Sequence, residues 1–314
     1  MAPAPMAYRR KYTSRRSRPK RKSSRRSYGK RPTRRARTTR RNPSMSRKRL
    51  LNITSRKKKN TMLVWSNTNN VTGASQATQP APITANGNTA YRGFWIATAQ
   101  DLTDQTGILG RVGEEAVRTA TSCYMRGVAE HLRIQTSSAL PWFWRRICFT
   151  YKGPELTNVS SLDSPTSSIY AYLDTTSGMQ RLGFNQNVAN MPNTINNHDS
   201  IIFRGAKGLD WQDYIVAPVD NSRVSLKFDK TWTLRSGNQS GTVKEVKLWH
   251  PMNKTLMYGD DESGDLQATN YTSVSSKIGM GDYYIMDIIA PGQGGTASDL
   301  MVMVPNTTLY WHEK

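Results

Sequence analysis

The chain has 314 residues, 45 Lys and Arg against 22 Asp and Glu, and a formal net charge of +23. Two cysteines 25 residues apart, four scattered histidines and no apolar run near the length of a membrane span exclude a disulfide framework, a zinc site and a spanning helix. Neither a GxxxxGK[ST] phosphate loop nor a GxSxG elbow occurs, so the usual helicase and hydrolase signatures are excluded as well.

All the excess charge lies at one end. Residues 1–59 hold 25 Lys and Arg and no acid, the first acid being Asp101, whereas residues 60–314 carry 20 basic and 22 acidic side chains. A segment this polar and this charged cannot bury enough apolar surface to offset its ordering entropy, so residues 1–59 are expected to be a disordered Arg-rich arm whose natural partner is a polyanion. The cations expected to meet phosphate are Arg9, Arg10, Lys11, Arg15, Arg16, Arg18, Lys20, Arg21, Lys22, Arg25, Arg26, Lys30, Arg31, Arg34, Arg35, Arg37, Arg40 and Arg41. Arginine outnumbers lysine among them, which suits bidentate phosphate contacts. Tyr8, Tyr12 and Tyr28 add rings that stack on unpaired bases, and contacts of both kinds ignore base identity.

The arm has no apolar h-region for secretion, and its prolines and missing apolar face argue against a mitochondrial transit helix. Three clusters, Pro19-Lys20-Arg21-Lys22, Arg47-Lys48-Arg49 and Arg56-Lys57-Lys58-Lys59, read as patches for a nuclear import receptor.

Residues 60–314 are long enough for one large β domain. Strand candidates follow in chain order at 61–67, 90–99, 126–136, 142–152, 200–205, 223–234, 242–250, 282–291 and 299–311. The clearest is RVSLKFDKTWTL, where Val224, Leu226, Phe228, Trp232 and Leu234 share one parity, predicting one buried face. The only short helix candidate is GEEAVRTA at 113–120, and the stretches 152–168, 177–199 and 259–273 read as long polar loops. About eight strands joined in this way predict an all-β, eight-stranded viral jelly roll of two antiparallel sheets rather than a tight meander.

No candidate catalytic, cofactor or metal site emerges. His131, His198, His250 and His312 stand singly, and Cys123 and Cys148 lie in apolar strand-like stretches as buried thiols. Asp260, Asp261, Glu262 and Asp265 form an acidic knot that departs from the EF-hand spacing and reads as a solvated loop tip. Trp142, Trp144, Trp211, Trp232, Trp249 and Trp311 are expected to be core, with one or two anchoring a subunit contact. For Arg145 and Arg146 two readings stand open: contributors to a nucleic-acid-facing surface, or one arginine in solvent and the other on an acidic neighbour.

Four stretches carry a family resemblance: SRKRLLNITSRKKKNTML (46–63), CYMRGVAEHLRIQTSSALPWFWRRICFTYKG (123–153), GLDWQDYIVAPVDNSRVSLKFDKTWTLRSGN (208–238) and KLWHPMNKTLMYGDDESG (247–264). In them the body resembles the capsid proteins of genomoviruses, small circular single-stranded DNA viruses of the gemycircularvirus type, and more distantly geminivirus coat proteins. Family arms open on a run like MAYRR, which starts here at Met6. The resemblance implies a jelly-roll shell protein, a T=1 homo-oligomer of sixty copies, an internal arm on a single-stranded DNA genome, no enzymatic activity, and residence in the virion and, during assembly, the host nucleus. Sixty arms would bring about 1,500 positive charges, matching on the order of 1.5 kilobases of single strand at one phosphate per nucleotide. The competing reading is a non-structural nuclear shuttle or single-stranded DNA-binding protein, which needs the same arm but no assembly. A replication enzyme would need a metal-binding histidine pair and a nucleotide loop.

Overall fold

The computed structural model describes residues 45–167 and 171–314. Regular structure begins with helix α1 (Arg47–Thr54) and strand β1 (Arg56–Met62), then β2 (Val64–Thr68), β3 (Ser75–Pro80), β4 (Ile83–Asn86), β5 (Tyr91–Ile96), β6 (Ser122–Thr136) and β7 (Trp142–Tyr151). It continues through β8 (Leu173–Thr175), β9 (Gly178–Gly183), α2 (Pro192–Ile202), β10 (Ser225–Leu234), β11 (Val243–Met257), β12 (Asp261–Ser263), β13 (Leu266–Ala268), β14 (Asp282–Pro291) and β15 (Leu300–Glu313). The described protein is thus mostly β.

Two antiparallel sheets hold the long strands. One runs β1-β15-β6-β11, with β4 paired to the start of β15; the other runs β10-β7-β14-β5. The smaller β3-β2-β9-β8 sheet contains a parallel pair, β2 with β9, and β12-β13 is a short hairpin. The alternation in β15 explains its place: Met301, Met303, Leu309 and Trp311 point into the core while Val302, Val304, Tyr310 and His312 are only half-buried on the other side. By contrast β14 is buried over its first eight residues, as a central strand covered on both faces must be. Apolar side chains of the two sheets pack as common clusters, such as Val128, Met125 and Leu309 with Ile147, Phe149 and Ile285. Leu132, Met301 and Met303 likewise pack with Trp142, Trp144 and Ile289.

That core is tied together by charge. Arg146 on β7 grips Asp287 on β14 through two 2.8 Å bonds and also meets Glu130 on β6. Arg181 on β9 reaches Asp287 at 2.9 Å and Glu130 at 3.4 Å. Trp144 donates its indole N–H to Asp287 at 2.8 Å, and the Thr307 hydroxyl on β15 donates to Glu130 at 2.9 Å. All four ionic side chains are buried, and two positive charges balance two negative ones. Burial alone would raise the pKa of Asp287, but the adjacent guanidiniums and the indole outweigh it and bring it to about 2. Arg145 is also paired, on Asp229 at 2.6 Å and on the carbonyls of Tyr214 and Ala217, so neither arginine of the pair faces solvent or nucleic acid.

Several expectations change. Helix and strand occupy residues 47–62, so the folded unit, Arg47–Lys314, begins before residue 60 and takes in the end of the expected arm. The stretch 200–205, read as a strand from its short apolar run, is instead the end of α2 and an isolated bridge at Phe203. The helix starts because Pro192 suits its first turn and Asp163, from a distant loop, accepts from the backbone N–H groups of Asn193 (3.1 Å) and Thr194 (2.6 Å). Residues 113–120 form turns and bends rather than a helix. Fifteen strands stand among the described residues where periodicity picks out about eight; β3, β4, β8, β9, β12 and β13, of three to six residues each, leave too short a pattern to read.

Candidate nucleic-acid interface

The eighteen arm cations from Arg9 to Arg41, and the import cluster at Pro19-Lys20-Arg21-Lys22, lie outside the described residues. Of the second cluster, Arg47, Lys48 and Arg49 stand on α1. The third is split by strand geometry. Arg56, Lys57 and Lys59 are exposed, but Lys58 turns inward, 3.3 Å from the Glu313 carboxylate and 2.7 Å from the Val117 carbonyl oxygen. Buried and paired, Lys58 is withdrawn from any import receptor, which corrects its assignment to that patch.

The same alternation builds a surface. Along β1, Lys57 and Lys59 lie beside His312 and Tyr310 of β15. His312 and Tyr310 in turn lie beside Tyr124 and Gly127 of β6, and Gly127 lies beside Pro251 of β11. One residue pair further on, Ala129 of β6 faces Trp249 of β11, and beyond it His131 faces Lys247. The outward face of this sheet therefore carries a row of rings among basic side chains.

Two ring pairs define the row. Trp249 meets Tyr310 edge-on at 5.9 Å between centroids, and Tyr124 lies 6.2 Å from His312. Trp249 is 49% exposed and Tyr124 38%, whereas the other seven tryptophans are buried or half-buried. Gly127 is what admits the indole: a Cβ there would stand 2.8 Å from Trp249 Cζ2 and 2.5 Å from the His250 carbonyl oxygen. Its φ of +151° is one that side chains with a Cβ rarely adopt.

Cations outnumber acids around the rings. Lys57, Lys59, Arg126, Arg133 and Lys247 project from β1, β6 and β11. Arg126 hydrogen-bonds the amide oxygen of Asn253 at 2.6 Å rather than a carboxylate. Among the described residues the acids that meet this face are Glu245, 3.3 Å from His131, and Glu115, 4.0 Å from Lys59. The His312 pKa is held below its usual value, first by partial burial and then by the charges of Arg126 and Lys57. Rings with a π-face set among unneutralised cations are the chemistry that unpaired nucleotides bind.

Sequence reasoning passed over this surface although it left a signal. Tyr124, Arg126, His131 and Arg133 alternate with the apolar Cys123, Met125, Leu132 and Ile134, and Asn306, Thr308, Tyr310 and His312 do the same on β15. Aromatic and basic residues at outward positions of two adjacent strands are the mark to look for.

The other candidates are structural. Cys123 and Cys148 are buried free thiols whose pKa values burial pushes up. His198 and His250 are buried, and desolvation lowers their pKa values to about 3 and about 4. Asp260 is not solvated, as expected of a loop tip, but takes two bonds from Arg118 at 2.5 and 2.8 Å. Arg118 also lies 3.8 Å over the Tyr258 ring and donates to the carbonyls of Gln100, Ala120 and Asn270. Asp261 and Glu262 sit exposed on the β12 hairpin strand, and among the described residues no three His, Cys, Asp or Glu side chains are grouped to hold a metal. Among those residues no helix is long and apolar enough to cross a membrane. No protein-family model matches the sequence, and neither does any curated protein.

Proposed function

We propose that the chain is the coat protein of a small circular single-stranded DNA virus of the genomovirus kind, a jelly-roll shell tile with a basic arm that condenses the genome. One observation carries this reading: eight of the strands pair in nested order. Taking β4, β5, β6, β7, β10, β11, β14 and β15 as first to eighth, first pairs with eighth, second with seventh, third with sixth and fourth with fifth. Cross-pairs β15 with β6 and β14 with β7 then gather these eight into two sheets, β1 adding a fifth strand to one, an order that supports a viral jelly roll.

Charge supports the second half of the reading. Residues 1–46 hold eighteen Lys and Arg and no acid. Sixty such arms in a closed icosahedral shell would supply about 1,100 positive charges, enough to neutralise on the order of a kilobase of single strand. Phosphate contacts of this kind carry no base specificity. Import clusters at 19–22 and 47–49 suit a protein that assembles in the nucleus.

Expression with single-stranded DNA followed by size-exclusion chromatography and electron microscopy tests the proposal. Closed particles of uniform size are expected. A monomer or dimer under every condition would favour the nuclear shuttle and overturn the coat reading.

A further inference from the structure

We infer that the outward face of the β1-β15-β6-β11 sheet is a second polynucleotide site, one that stacks unpaired bases on Tyr124, Tyr310 and Trp249 and so discriminates single strand from duplex. The inference rests on the coat reading only for the identity of the polynucleotide; the face itself is argued from geometry.

Three observations point the same way. A tryptophan left half exposed on a sheet is costly unless something covers it, and Gly127 lets that indole lie close over β6, where a Cβ would stand 2.8 Å from it. Second, five cations surround the rings against two acids, and Lys57 and Lys247 have no carboxylate within 4.0 Å among the described residues. An apolar protein partner would leave those charges desolvated; a phosphate backbone neutralises them. Third, β1, which supplies Lys57 and Lys59, follows the eighteen cations of residues 1–46 in the sequence with only α1 between.

The size suits a short run of nucleotides. Four strands at about 4.8 Å spacing give a platform about 14 Å wide, and aromatic side chains on a four-stranded sheet accommodate two or three bases. A duplex offers its phosphates to the lysines but keeps its base faces to itself. Selectivity for single strands therefore comes from the rings, while salt-dependent affinity comes from the cations and the arm.

The test uses the full chain, with oligo(dT) and a duplex of equal length as probes. Trp249 is the exposed tryptophan, so oligo(dT) is expected to quench part of the intrinsic fluorescence, and Trp249→Phe, which keeps a ring, should remove that quench while retaining binding. Trp249→Ala with Tyr310→Ala should weaken oligo(dT) binding about tenfold or more while duplex binding stays within about twofold; an unchanged melting temperature of the pair, checked alongside, shows the fold intact. A quench that persists in Trp249→Phe, an equal loss for both probes, or a quench driven by protein concentration without DNA, the sign of a second copy on the face, would each overturn the inference. Particle formation is read in the same samples. Particles without ring-dependent selectivity sink this site and leave the coat protein standing, whereas ring-dependent selectivity without particles from the unmodified chain does the reverse.

Discussion

Replacing Asp287 by Asn removes one of the two carboxylates that balance Arg146 and Arg181 in the core. The amide keeps the shape but leaves two buried guanidiniums with Glu130 as their one anion, and Arg146 keeps at most one of its two 2.8 Å bonds, now to a neutral oxygen. Breaking a buried, hydrogen-bonded ion pair from one side costs about 3–5 kcal/mol, because the stranded charge stays desolvated. For a folded unit of this size each kcal/mol moves the melting temperature by roughly 2–4 °C, so the variant should melt about 10 °C lower. Thermal unfolding of unassembled protein, followed by near-UV circular dichroism, reads the effect directly. Charge balance supplies the stricter test: Asp287→Asn with Arg181→Met removes one charge of each sign and should recover part of the loss, since Arg146 then faces Glu130 one to one. A single variant within about 1 kcal/mol of the unmodified protein, or a double variant no better than the single, would refute the claim that these four groups act as a closed electrostatic unit.

Acid should spare this cluster. Asp287 is held at about pKa 2, so its contribution is complete above the unfolded value near 3.8 and is lost only as pH falls towards 2. Asp282 behaves oppositely: burial, set against hydrogen bonds from Ser273, raises it to about 6, so stability is present below the unfolded value and lost as pH rises through 6, by about 3 kcal/mol. Asp282→Asn should remove that fall; the readout is the difference between variant and parent urea midpoints at pH 5 and 7.5, between which about 1.4 kcal/mol of it is expected, since the neutral His198 and His250 affect both equally. Arg118→Met should cost about 3–5 kcal/mol by stranding Asp260, and millimolar calcium should leave the parent's melting temperature unchanged. Deleting residues 1–46 should abolish packaging while leaving the melting temperature near the parent's; deleting 1–59 should also lower it, because Lys58 goes with the segment and Glu313 loses its partner.

Strands with a continuous apolar run or a clean two-residue period were legible. The stretch 282–291 matches β14 residue for residue, and the parity of Leu226, Phe228, Trp232 and Leu234 survives in β10, whose intervening side chains are exposed. Helix α2 was not legible, since its first-turn donors are satisfied by Asp163 some thirty residues earlier and its sequence, PNTINNHDSII, has poor intrinsic helix propensity. Thr194, His198 and Ile202, four residues apart and all buried, are the trace it leaves. The ionic cluster was half visible. Arg146 and Asp287 stand out as charges inside apolar strands, but that they are register partners across β7 and β14 is a fact of pairing, which no local pattern encodes. The ring-bearing face is spread over β6, β11 and β15, which are far apart in the sequence, so each strand shows only a fragment of it.

The run Arg56-Lys57-Lys58-Lys59 shows how pairing changes what charge can do. In a loose chain, four adjacent cations repel one another and bind whatever anion arrives. In β1 successive side chains point to opposite faces, so Lys58 enters the core and is neutralised by Glu313, while Lys57 and Lys59 are left on the outside with no intervening charge on their own side. The inward lysine and Met62 fix the register together, because a slip of one residue would turn both Lys57 and Lys59 inward with Glu313 placed to meet one of them, and would expose Met62. Register in turn sets the two outward lysines beside His312 and Tyr310. The two lysines that flank the ring row are therefore outward because the one between them is inward on Glu313.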